Sequence, residues 1–104
     1  MTVKSIFEFL NSRFPVSDAM DFDNVGILIG DPEMEINKAI VCLDCTLEAI
    51  NYAKEKGCDL IITHHPVIFS PLKSILKGSV QYEVLSRNLA VISMHTNLDI
   101  GMDG

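Results

Sequence analysis

All three histidines of the chain fall in two short motifs, Thr63-His64-His65-Pro66 and the segment from His95 to Asp99. Each motif follows an apolar run of strand length. His64, His65 and His95 should therefore stand at or just beyond the carboxyl ends of strands, the edge at which open parallel sheets hold their ligands. Asp99 lies four residues beyond His95 and can join them from the loop that follows. Imidazole nitrogen and carboxylate oxygen suit zinc, iron, manganese or nickel, and nothing in the pattern chooses among these metals. Adjacent histidines can face two sides of a strand end, so the set could serve two ions roughly 3.5 to 4 Å apart, with a water between them activated against a carbonyl, amidine or phosphate centre. Hydrolysis is the matching reaction class. The plainer alternative is that His64 and His65 end a strand beside Pro66 and donate to backbone carbonyls, while Asp99 accepts loop amide protons. Three histidines gathered at one predicted edge favour the metal site.

Other groups carry weaker signals. Cys42 and Cys45 have the C-x-x-C spacing of redox and zinc sites just ahead of a helix. Yet Cys42 sits within an apolar run, where a cysteine packs as a small hydrophobe, and no second pair completes a four-thiolate site. Asp44, between them, either orients a ligand histidine or caps the next helix. Asp21, Asp23 and Asp31 lack the spacing of a calcium loop and read as turn formers. Gly26 and Gly30 do not make a dinucleotide fingerprint. Lys73 could meet an anionic substrate, but the preferred reading is an exposed loop lysine.

The elements that must position these residues follow from apolar spacing. Val3, Ile6, Phe7, Leu10 and Phe14 mark an amphipathic helix from Val3 to Phe14, capped by Thr2 and ended by Pro15. Val25 to Ile29 is a short β-branched run closed by Gly30-Asp31-Pro32. Ala39 to Leu43 predicts a strand, Thr46 to Lys56 a helix terminated by Gly57, and Leu60 to Ile62 the next strand. Ser79 can cap a helix running to about Arg87, and Leu89 to Met94 is the last strand-length run. Two successive βαβ units predict a parallel sheet whose strands are buried on both faces. The long connection from His64 to Gly78 contains Pro66 and Pro71 and should begin as extended loop.

A chain of 104 residues with 48% hydrophobic and 21% charged content fits one soluble α/β domain over residues 1–104. Eight basic against 14 acidic residues give a net charge of −6, and with no basic cluster this argues against nucleic acid as a partner. No apolar run reaches the roughly 18 residues of a membrane span, and the N-terminus lacks a signal peptide, so a cytoplasmic location is expected. Three cysteines in such a chain predict reduced thiols.

Several pieces in order resemble the GTP cyclohydrolase I type 2 homologues, also called Nif-three-like proteins. They are the segments from Asp23 to Pro32, from Leu43 to Thr46 and from Gly57 to Phe69, then Pro71-Leu72-Lys73, and finally His95 to Asp99. Together they cover nearly the whole chain. The resemblance implies a three-layer α/β fold, a mainly parallel sheet with helices on both faces. It also implies a dinuclear centre of divalent metal ions with His64, His65 and Asp99 as ligands, and places His95 in the pocket as a proton carrier or outer-sphere group. The family name implies opening of a purine-like ring by activated water, on a small-molecule substrate, and its members form ring-shaped homohexamers. Phe22 stands where the family usually has tryptophan and Cys45 where it has an aliphatic residue, both tolerable changes of apolar volume. Family members run well beyond 200 residues and add a histidine and a glutamate from their C-terminal part. The chain is therefore expected to be the N-terminal portion of a longer protein, inactive by itself and holding one ion well at most. A non-enzymatic reading stands beside this, in which the metal is structural or regulatory and the protein is a scaffold or interaction module. A thiol redox protein built on Cys42 and Cys45 is the third.

Overall fold

The computed structural model describes residues 1–19 and 24–95. Helix α1 (Val3–Arg13) is followed by a short 3-10 turn (Val16–Asp18) and strand β1 (Gly26–Ile29). Then come β2 (Ala39–Cys42), α2 (Leu47–Glu55), β3 (Leu60–Thr63), α3 (Val80–Ser86) and β4 (Ala90–Ser93). Each helix begins where a hydroxyl can take an orphan backbone N–H. Thr2 accepts from the Ser5 N–H while the Ser5 hydroxyl accepts from the Thr2 N–H, a reciprocal cap. Thr46 accepts from the Ala49 N–H, and Ser79 from the Tyr82 N–H. Helix α2 stops at Gly57, whose φ of +74° few other residues tolerate.

The four strands form one sheet in the order β1-β4-β3-β2. The pairs β2–β3 and β3–β4 are parallel, whereas β1 runs antiparallel to β4 along the far edge. Side chains alternate between the faces, as a pleated strand requires. Leu60, Ala90 and Ile92 face α1 and meet Val3, Ile6, Phe7, Leu10 and Phe14. Ile61 and Val91 face the other way, onto Ile50 and Ala53 of α2 and Val84 of α3. The result is three layers, helix, sheet and helices, as the family resemblance implies.

The apolar run from Ala39 to Leu43 predicts burial on both faces, but β2 is an edge strand and alternates between exposed and half-buried positions. Val41 is 78% exposed, because α1 lies over β3 and β4 and leaves β2 uncovered on that side. Central β4, by contrast, is buried at all four positions. Gly30 shows why the turn after β1 excludes a side chain: its φ is +115°, and a Cβ there would lie 2.7 Å from the Ala90 Cβ.

Candidate metal centre

The parallel strands end in step. Cys42 pairs with Thr63 across β2 and β3, and Thr63 with Ser93 across β3 and β4. Backbone pairing continues one step beyond them: His64 N–H donates to the Cys42 carbonyl (3.2 Å), His65 N–H to that of Leu43 (2.9 Å) and Met94 N–H to that of Thr63 (2.9 Å). His64 and His65 follow β3 directly and His95 follows β4 by two residues, so the register delivers all three to the same edge.

There the imidazoles pack against one another. Ring centroids are 5.3 Å apart for His64 and His65, 5.0 Å for His64 and His95, and 5.6 Å for His65 and His95. One ring nitrogen from each lies within 4.8 Å of the others, and all three residues are half-buried. A tetrahedral ion with metal–nitrogen bonds of about 2.0–2.1 Å would need these nitrogens about 3.4 Å apart, within reach of small side-chain rotations. Partly shielded imidazole nitrogens at this spacing fit a divalent metal. Asp99 lies outside the described residues, as do Asp21, Phe22 and Asp23.

Two polar arrangements hold the cluster. The Asp44 Oδ1 lies 2.7 Å from the His65 Nδ1. Beneath the histidine loop, Thr63 Oγ1 donates to the His65 carbonyl (2.8 Å) and lies 2.7 Å from Ser93 Oγ, which accepts from the Val67 N–H at 3.3 Å. Sequence patterns alone do not single out Ser93. Its signal was a hydroxyl inside an otherwise apolar strand run, in register with a second hydroxyl at Thr63. The loop is pinned further along as well, where Asn24 Nδ2 donates to the Ile68 carbonyl and Gln81 Nε2 to that of Val67.

The side chains of the remaining candidates are not among the clustered ligand groups. Lys73 is exposed on the long loop. Asp31 accepts from the Glu33 N–H at 2.9 Å, the turn role predicted for it. All three cysteines are free, and Cys42 and Cys45 are half-buried. Burial, and secondarily the neighbouring Asp44 carboxylate, pushes the Cys42 thiol above its ordinary value. Burial with the nearby Cys42 pushes Cys45 up to about 12. Such thiols are poor nucleophiles at neutral pH. An apolar hollow of about 220 Å³, lined by Leu10, Phe14, Val41, Ile62, His64 and Met94 among others, opens beside the cluster.

Comparison with known proteins identifies the family. Residues 1–104 match the family described as Duf34/NIF3 (NGG1p interacting factor 3). The chain belongs to the Duf34/NIF3 family. Relatives include a GTP cyclohydrolase 1 type 2 homolog of Clostridium acetobutylicum, 40% identical over 108 residues, and one of Staphylococcus aureus strain COL, 39% identical over 107. Each alignment takes in all of this chain, which spans 40% and 29% of the respective relative's length. Among solved structures, the Staphylococcus aureus hypothetical protein SA1388 superimposes with a TM-score of 0.92 at 39% identity, over 95% of this chain and 34% of that one. Reduced HcgD from Methanocaldococcus jannaschii gives 0.86 at 33% identity, over 95% of this chain and 41% of its own. The Duf34/NIF3 fold is thus shared over nearly every residue present. Among the described residues no helix is long and apolar enough to cross a membrane.

Proposed function

We propose that this Duf34/NIF3 chain carries part of the centre of a metal-dependent hydrolase acting on a small nucleotide-like or heterocyclic substrate. The observation that carries the reading is the convergence of His64, His65 and His95 within 4.8 Å at one sheet edge. His64, His65 and Asp99 would hold the ions, two in the full-length protein, and His95 would take or return a proton at a ring nitrogen. When bound, a divalent cation supplies Lewis acidity that makes water nucleophilic at neutral pH. The chain's own residues do the rest: Asp44 and the Thr63–Ser93 pair hold the histidine loop in place, and the apolar hollow beside His64 suits a flat ring of small volume. The name carried by the relatives, GTP cyclohydrolase 1 type 2 homolog, points to the same substrate class.

Assembly into a homohexameric ring and a cytoplasmic location belong to the same proposal. The test is a screen of purines, related heterocycles and phosphoesters against the full-length protein. Hydrolysis that requires added metal and is lost in His65→Ala supports the enzyme, and metal-independent turnover refutes it. One feature favours the scaffold alternative. The loop after the histidines exposes Phe69, Leu72, Ile75 and Leu76, an apolar row suited to a protein partner. A protein that binds metal but turns over nothing in the screen would support that reading instead.

A further inference from the structure

We propose that Asp44 is the positioning residue of His65, fixing the imidazole with its proton on Nδ1 so that Nε2 is the nitrogen available to a metal. The inference rests on the metal-site reading above. A carboxylate can only accept a hydrogen bond, so the 2.7 Å contact between Asp44 Oδ1 and His65 Nδ1 puts the ring proton on Nδ1. That leaves Nε2 as the only unprotonated donor on a neutral ring. A carboxylate behind a ligand histidine fixes both tautomer and ring orientation and raises the basicity of the other nitrogen.

The contact is built into the backbone and does not depend on two surface side chains meeting by chance. His64 and His65 donate their N–H groups to the carbonyls of Cys42 and Leu43, which aligns the His65 segment with the stretch that leads into Asp44. The competing role for Asp44, capping α2, is already filled, because Thr46 Oγ1 accepts from the Ala49 N–H at 3.0 Å. The two side chains are 55% and 45% exposed, and an ion pair in that setting adds little to folding. Orientation of His65 is what the contact accomplishes.

The experiment measures zinc affinity, the His65 tautomer by nitrogen-15 NMR of the zinc-free chain, and thermal stability, in wild type, Asp44→Ala and Asp44→Asn. Wild type should show His65 protonated at Nδ1. Asp44→Ala should move the proton toward Nε2 and weaken zinc binding by about 10- to 100-fold with its melting temperature nearly unchanged. Asp44→Asn keeps an acceptor oxygen and should retain the tautomer with an intermediate affinity. Zinc affinity and tautomer both unchanged in Asp44→Ala overturn the proposal alone. A full-length wild-type protein that binds no zinc overturns the metal-site reading together with it.

Discussion

The hydroxyls of Thr63 and Ser93 meet at 2.7 Å at the ends of two neighbouring parallel strands. Because the Thr63 proton goes to the His65 carbonyl, the Ser93 proton must go to Thr63, and Ser93 in turn accepts from the Val67 N–H. A directed chain of three hydrogen bonds therefore runs from Val67 through both hydroxyls to His65. Both side chains are almost fully buried, so the bond between them forms away from water, and a hydroxyl left without its partner there would carry a desolvation penalty.

Removing a member should cost stability and loosen the histidine loop together. Ser93→Ala leaves the half-buried Val67 N–H without its acceptor and the buried Thr63 hydroxyl without its donor, and should destabilise the fold by about 1–3 kcal/mol, read by urea unfolding. Thr63→Val should cost a similar amount and also weaken metal binding, because it releases the His65 carbonyl. A stability loss of that size without any effect on metal affinity would confine the pair to a folding role.

Gly30 offers a sharper test of packing. An alanine there would place its Cβ 2.7 Å from the Ala90 Cβ and 2.8 Å from the Ala90 Cα, at a φ of +115°. Backbone atoms of a central strand cannot yield cheaply. Gly30→Ala should lose at least about 2 kcal/mol, a fall of roughly 10 °C or more in Tm for a domain of this size.

The edge position of β2 predicts a contrast between two substitutions of similar kind. Val41→Ser should stay within about 0.5 kcal/mol of wild type in this chain, since its side chain is 78% exposed. Ile92→Ala, at a fully buried position in β4, should cost about 2–5 kcal/mol. Urea unfolding of both variants measures the difference.

These cases show which features were legible beforehand. Helices capped by Thr2, Thr46 and Ser79 and strands marked by unbroken apolar runs could be read because their signals are local. The register that brings His64, His65 and His95 together followed from the rule that parallel strands share an edge. The exposure of Val41 could not be read, since an apolar run looks alike whether it is flanked by two strands or by one. The direction of β1 also depends on pairing with a strand more than sixty residues later, and its neighbours carry no sign of it. Asp44 precedes a helix and suits cap and orienter alike by sequence; it is the Thr46 hydroxyl, accepting from the Ala49 N–H, that occupies the cap.

The cysteines should be inert. With Cys45 pushed up to about 12 and Cys42 also raised, the thiolate fraction of each at pH 7.5 lies below that of a free cysteine. Alkylation by iodoacetamide should be slower than for a model thiol at that pH and should keep accelerating as pH rises beyond the ordinary thiol range. Rapid labelling of Cys45 at neutral pH would reopen the redox reading.

The central claim is that the histidine cluster holds metal. Its most direct test is zinc retained per chain of the full-length protein, measured by elemental analysis after equilibrium dialysis, in wild type and in the His64→Ala, His65→Ala double variant. Stoichiometric zinc in the wild type and its loss from the double variant are the predicted result. Equal retention by both proteins, or none by either, would contradict it.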